Sequence, residues 1–371
     1  MTSLVVRSKL MANGFNSSIL SSHISKQYSR QYHNSRAAKL VFSEFGDPVE
    51  VVQKENENIV EPKEKEVLLK VLAAPVNPVD INIIQGKYPI KPHFPVVPGI
   101  EGVAEVVKVG TEVSDLNEGD HVVPLEGDLG LWRTHLTVAE DKLLKVPKSL
   151  DLVQAATLTI NPCTAYRILK DYTDLKPGDT VIQNGANSAC GQNVIQICHS
   201  WGIKTVNIVR SRPNFEELKE FLTGLGATYI LTEDELRSTD IFKSGQVEKP
   251  KLALDCVGGN SALAILRHLQ NSSPMVTYGG MSRDPVPVPT SALIFKDIQV
   301  CGFRITDWIK NNEKSDNRFT MFKELISMMA NNELKGPAHE LVGFSNYKYA
   351  LKNTLTFKGM IGRKFILEFD K

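Results

Sequence analysis

The residues whose types and spacing best suggest chemistry are Ala186-Asn187-Ser188-Ala189-Cys190-Gly191 and, further on, the triplet Arg210-Ser211-Arg212. Small residues ahead of a helix let backbone N–H groups approach a pyrophosphate, because the first-turn donors have no partner within the helix. The glycine fingerprint is incomplete: aligned on Gly191, Ala186 and Ser188 stand where G-x-G-x-x-G has its first two glycines. Taken alone, the window also reads as an ordinary tight turn. The triplet adds specificity. An NAD-binding fold carries an Asp or Glu at the end of its second strand to accept from the ribose 2′-OH. Here two guanidinium groups and a hydroxyl occupy that place, a set suited to a dianionic 2′-phosphate. The expected cofactor is therefore NADP(H), although two arginines in a loop can also simply be solvated.

The elements that must position these groups read as strand, helix, strand. Residues 180–184, TVIQN, favour a strand, and residues 192–201 place Val194, Ile197, Cys198 and Trp201 at helical spacing. Gly202 closes the helix and residues 205–209 form a second apolar run. A βαβ crossover of this length implies a parallel sheet. The alternation continues with helices at 164–172, 215–225 and 261–269 and strands at 228–232, 251–259 and 275–280. This predicts a doubly wound sheet with ligands at the carboxyl ends of its strands. Gly258-Gly259 and Gly279-Gly280 follow two of those strands, where they serve close backbone approach to a cofactor or merely turns.

Ahead of this lies a region of different pattern. Between residues 37 and 147, short runs such as EVLLKVLAA, GVAEVVKVG and DHVVPL are punctuated by Gly, Pro and Asp, which predicts a small all-β unit. One short helix is expected at 78–85, closed by Gly86, with Tyr88 on the loop that follows. After a strand at 298–305, helices are expected at 318–331 and 346–355 and a strand at 362–369. These last elements return to the β unit, so the sheet domain reads as an insertion.

The chain has 371 residues, with 43 Lys and Arg against 42 Asp and Glu. The first acid is Glu44, and before it stand Arg7, Lys9, Lys26, Arg30 and Arg36 among many Ser and Asn. That composition predicts a mitochondrial transit peptide at residues 1–36, removed somewhere between Arg30 and Arg36; a basic tail without such a role is the alternative. Loss of those five cations changes the count from 43 against 42 to 38 against 42. No basic stripe is left to suggest nucleic acid, and no apolar segment reaches the ~18 residues of a membrane span. The five cysteines are scattered and contain no C-x-x-C, so neither a disulfide framework nor a zinc knuckle is indicated. Reduced thiols fit a matrix or cytosolic protein.

At this point the chain resembles a known superfamily. A β domain split around a Rossmann domain, with PGIEGVAEVVKVGTEV and EGDHVV, is similar to the medium-chain dehydrogenase/reductases. Ile100 stands where the zinc-dependent members have histidine, the VDINI segment replaces a ligating cysteine, and the four-cysteine lobe is missing. The resemblance is therefore to a zinc-free branch, with no metal expected. Within it, NPVDINIIQGKYP, LWRTH, TINPCTAYRIL, VIQNGANSACGQNVIQI, LDCVGG, MVTYGGMS, LIFKDIQVCGF and GRKFIL resemble the mitochondrial trans-2-enoyl-thioester reductases, over essentially everything after residue 36.

The resemblance implies a GroES-like catalytic domain at 37–158, a Rossmann domain at 159–305 and a return to the catalytic domain at 306–371. It implies Tyr88 as the catalytic tyrosine and Asn161 beside the nicotinamide. Asn187, Ser188, Ala189 and Cys190 fall in the pyrophosphate turn, and Arg210, Ser211 and Arg212 in the 2′-phosphate site. Tyr278, Gly279, Gly280, Met281, Phe303, Arg304, Ile305 and Lys364 fill the remaining cofactor positions. Arg304 departs from the family, whose members carry tryptophan after the phenylalanine. The implied activity is NADPH-dependent reduction of an enoyl thioester on CoA or acyl-carrier protein, in the matrix, by a homodimer joined near residues 298–303. A quinone reductase of the same branch and a non-catalytic NADPH-binding protein are the rivals.

Overall fold

The computed structural model describes residues 37–89, 91–355 and 363–369. The segment read as a transit peptide, residues 1–36, and the start of the strand expected at 362 lie outside them. Among the described residues no helix is long and apolar enough to cross a membrane.

A six-stranded parallel sheet forms around the predicted βαβ unit. Its order is Tyr229–Thr232, Lys204–Val209, Thr180–Gln183, Leu252–Asp255, Pro274–Thr277 and Gln299–Gly302. All six strands are parallel; the chain adds the first three toward one edge of the sheet and the last three toward the other. The reversal falls between Thr180–Gln183 and Leu252–Asp255, and a ligand crevice opens at such a switch point. Val181, Ile182, Leu252, Ala253 and Leu254 are fully buried, as strands covered by helices on both faces must be.

The second sheet runs in the order His339–Gly343, Lys364–Glu368, Glu66–Pro75, Val103–Val109, His121–Pro124 and Leu143–Val146, with His135–Ala139 also pairing Glu66–Pro75. Ala37–Val41 pairs separately with Gln53–Glu57. The latter strand reads QKENE and has no apolar alternation, so only its partner reveals it. One hydrophobic cluster joins the two units, placing Ala73, Val103 and Val146 of the β unit with Val181, Val194 and Leu252 of the parallel sheet.

Several boundaries differ from the sequence reading. Helix Ala189–Ser200 starts three residues before the expected 192, because Ser188 caps it by accepting from the Gly191 N–H at 3.1 Å. Helix Asn161–Lys170 starts before 164, with Pro162 in its first turn, where a missing N–H does no harm. The strand expected at 298–305 is only Gln299–Gly302, and Ile305 opens helix Ile305–Asn311. Short helices Leu152–Ala156 and Thr290–Lys296 are additional.

Candidate active site

The turn after Thr180–Gln183 shows how the chain manages without two fingerprint glycines. Positive φ falls one residue earlier, at Gly185 (φ +54°), where a Cβ would also lie 2.5 Å from Cys256 Sγ. Ser188, in place of the second glycine, is the helix cap. Gly191 is required by contact: a Cβ there would stand 2.6 Å from the Ala186 carbonyl oxygen. A helix N-terminus preceded by Asn187 and Ser188 is thus pressed against the strand end, with first-turn N–H groups facing the crevice.

A buried polar belt fixes the strand ends on either side of the switch point. Asn184 donates from Nδ2 to Asp255 Oδ1 at 2.6 Å and accepts from the Cys256 N–H at 2.9 Å. The same Asp255 carboxylate accepts from the N–H groups of Val257 and Gly258 and from the Thr277 hydroxyl. Gln183 donates to the Gly191 carbonyl and to Asn207. Buried groups of this kind are costly unless paired, so paired they hold the turns in one arrangement.

Around this frame the site residues gather in three places. In the first, Cys190 Sγ lies 3.8 Å from the Asn161 carbonyl, and the Tyr278 hydroxyl is buried against the thiols of Cys190 and Cys256. Those thiols act on it electrostatically, and among the described residues no group meets it in good hydrogen-bonding geometry. Burial above all, then the neighbouring thiols, pushes the Tyr278 hydroxyl well above its ordinary range; burial pushes the Cys190 thiol up too, and Cys256 to about 11. All three stay protonated at neutral pH. Gly279 packs 3.0 Å, by its would-be Cβ, from the Cys256 carbonyl, and the Met281 N–H donates to that carbonyl at 3.1 Å, leaving the Met281 side chain exposed. Gly280 faces open space.

The second place is the β-unit side. Lys364 is buried and donates to Asn77 Oδ1, while its Nζ lies 3.7 Å from Glu101 Oε1. Its electrostatic neighbours include Cys190, so it belongs with the first group. Tyr88 follows helix Pro78–Ile84, past Gly86. It acts electrostatically on the guanidinium of Arg304, which the Asp307 carboxylate holds, with Nε to Oδ2 at 2.7 Å. Asp307 first, then Tyr88, raises Arg304 above its ordinary range against the opposing effect of burial. Phe303 lies beside Tyr172, rings 6.4 Å apart, and Ile305 is buried.

The third place is the end of Lys204–Val209. Arg210 and Ser211 are exposed and Arg212 is half-buried, its Nε donating to the Arg210 carbonyl at 3.3 Å. Burial and the neighbouring Arg210 lower the Arg212 guanidinium, as a like charge close by does. Helix N-terminus, a buried tyrosine hydroxyl without a well-placed partner among the described residues, closely approached Gly279 and the arginine pair fit a pyrophosphate-bearing dinucleotide with a further phosphate. Among the described residues no group of three or more His, Cys, Asp or Glu side chains could hold a metal ion.

Asn77, Asp80, Glu101, Asn184 and Asp255 carry much of this geometry, and the sequence reading assigned them no role. Their only local signal is a polar residue inside an apolar run, as in LALD.

Residues 63–148 match the family described as Alcohol dehydrogenase GroES-like domain, and residues 189–329 that described as Zinc-binding dehydrogenase. Fold and site together define a medium-chain dehydrogenase/reductase. The mitochondrial enoyl-[acyl-carrier-protein] reductase of Xenopus tropicalis is 43% identical over 345 residues, 92% of this chain and 97% of that protein. The solved complex of Etr1p with NADP and crotonyl-CoA has a TM-score of 0.84 at 33% identity, covering 90% of this chain and 100% of its own. The Etr1p/Etr2p heterodimer of the mitochondrial 2-enoyl thioester reductase from Candida tropicalis gives 0.83 at 34%, with the same coverage. The chain belongs to the mitochondrial enoyl-thioester reductases, and as a member it is an NADPH-dependent oxidoreductase.

Proposed function

We propose that the protein reduces trans-2-enoyl thioesters, on CoA or acyl-carrier protein, to saturated acyl thioesters in the mitochondrial matrix, as the last reductive step of fatty acid synthesis there. The observation that carries the reading is the convergence of Asn161, Cys190, Tyr278 and Lys364 beside the strand end where the Phe303 N–H donates to the Thr277 carbonyl at 3.0 Å, with Arg304 next in the chain and within electrostatic reach of Tyr88. The thioester carbonyl makes the β-carbon of its conjugated double bond electrophilic. NADPH, when bound, supplies a hydride. Tyr88 supplies the proton that the α-carbon of the resulting enolate takes up. Arg304, within electrostatic reach of Tyr88, is placed to stabilise the negative charge that proton transfer leaves on the tyrosine oxygen.

The remaining residues hold the cofactor. The turn from Asn187 to Cys190 takes the pyrophosphate, Arg210, Ser211 and Arg212 the 2′-phosphate, and Asn161, Tyr278, Gly279, Gly280, Met281, Phe303, Ile305 and Lys364 line the rest. On this reading residues 1–36 are the removed presequence, 37–158 and 306–371 the catalytic domain and 159–305 the cofactor domain. Pairing of Lys364–Glu368 with Glu66–Pro75 supports that division. The edge strand Gln299–Gly302 and the exposed side chains of Leu293, Ile294, Phe295 and Val300 beside it support a homodimer through this edge.

Tyr88→Phe tests the reading. A positioned acid contributes about 10²- to 10⁴-fold, so kcat with crotonyl-CoA should fall by that factor while NADPH binding stays near wild type. A loss below about fivefold in folded protein would refute Tyr88 as donor. Quinone turnover without crotonyl-CoA turnover, or NADPH binding with neither, would replace the proposed activity.

A further inference from the structure

Four buried polar side chains meet where the two halves join, and the chemistry above uses only one of them. Glu101 is fully buried; Asn77, Asp80 and Lys364 are nearly so. Glu101 Oε1 accepts from Asn77 Nδ2 at 2.9 Å and lies 3.7 Å from Lys364 Nζ. Its other oxygen accepts from the Ile160 N–H at 3.2 Å, the residue that caps helix Asn161–Lys170. One carboxylate therefore spans two chain segments 204 positions apart in the sequence, Ile160 and Lys364, and each adjoins or is a cofactor position. Asp80 sits behind it, accepting from the N–H groups of Asn77 at 2.9 Å and Ile100 at 3.3 Å.

The arrangement has a physical direction. A carboxylate at a helix N-terminus is favoured by the helix dipole, and a buried ammonium survives only beside a counter-charge. Glu101 supplies both. Burial lowers the Lys364 ammonium, and Glu101 first, then Asp80, oppose that. Cys190 stays a neutral thiol, its own range pushed up by burial. Burial also raises Glu101, with Lys364 the main opposing group.

We propose that Glu101 is a positioning residue for the cofactor: it holds the Lys364 ammonium and the first turn of helix Asn161–Lys170 in register across the junction of the two halves. The inference rests on the reading of Lys364 and Asn161 as cofactor residues.

The test is NADPH affinity of the full-length protein, by tryptophan fluorescence quenching between pH 7 and 9.5, in wild type, Glu101→Gln and Lys364→Met. Without the carboxylate, Lys364 loses its main counter-charge and deprotonates at lower pH. Glu101→Gln should therefore fall progressively behind wild type in NADPH affinity as pH rises, by at least tenfold at the upper end of the range. Lys364→Met should be weakened at least tenfold throughout, with no added pH dependence. Wild-type affinity in Lys364→Met would overturn the cofactor reading of Lys364 and the inference with it. If Lys364→Met is weakened but Glu101→Gln matches wild type at every pH, the inference alone is overturned; equal weakening at every pH overturns it too, since Glu101 would then act through packing. Should Glu101→Gln not fold, Asn77→Ala, which removes the neutral bridge without burying an unpaired charge, takes its place. A three- to tenfold loss of NADPH affinity is expected there, and an unchanged Kd would overturn the proposal.

Discussion

Gly191→Ala separates a phosphate-binding turn from an ordinary one, and its cost can be worked from the contacts. The added Cβ would lie 2.6 Å from the Ala186 carbonyl oxygen and 2.8 Å from its carbon and Cα, whereas ordinary contact begins at 3.4 Å. All three atoms are backbone, so no side chain can swing away. Ala186 cannot retreat, because it is fully buried among Ile195, Val209, Leu218 and Leu222, and its N–H donates to the Ile208 carbonyl. The helix start must move instead by roughly 0.5–1 Å, carrying Asn187 to Cys190 with it and disturbing the Gln183 bond to the Gly191 carbonyl. Overpacking of this kind costs about 1–3 kcal/mol of stability. Hydrogen bonds to a charged group are worth about 1.5–3 kcal/mol each, so losing two from the turn to a pyrophosphate should weaken NADPH about 10²-fold or more. Calorimetric titration with NADPH and thermal unfolding without it measure the two effects separately. A lower Tm with NADPH affinity within threefold of wild type would mean that this turn does not hold the pyrophosphate. An unchanged Tm would refute the packing reasoning itself.

Replacing Arg210 and Arg212 with Ala should raise the NADPH KM about 10²-fold or more and leave NADH use little changed, since each charge-assisted contact is worth about 1.5–3 kcal/mol; steady-state kinetics with both cofactors decides it, and an unaltered NADPH KM would remove the 2′-phosphate assignment. Burial pushes the Asp80 carboxyl up to about 7 from its ordinary 3.8. The unfolded chain therefore releases this proton first, and stability falls as pH rises from about 4 to 7. Asp80→Asn removes that slope, so the stability of the variant relative to wild type should rise by as much as a few kcal/mol across the window; urea unfolding at several pH values measures it, and a constant offset would show that Asp80 titrates normally. If the proposed homodimer forms through this edge, Phe295→Glu, at a side chain 78% exposed, turns it into a monomer in sedimentation velocity; a monomeric wild type refutes the dimer, and an unchanged dimer in the variant places the interface elsewhere.

The βαβ core, the arginine pair and the tyrosine on a loop after Gly86 were legible because each is a local pattern: alternation of strand and helix periods, charge type at a strand end, a turn residue beside an aromatic. Helix starts were misplaced at Ala189 and Asn161 because what sets them is a serine side chain reaching a particular N–H and a proline tolerated in the first turn. The polar strand Gln53–Glu57 has no periodic signal, and only pairing with Ala37–Val41 defines it. Tertiary structure alone brings Lys364 and Ile160 to Glu101, and Asn184 to Asp255. Sequence patterning specifies which face of an element is buried, through periodicity. Which buried polar group meets which depends on chain crossings tens to hundreds of residues long, and no local period encodes those.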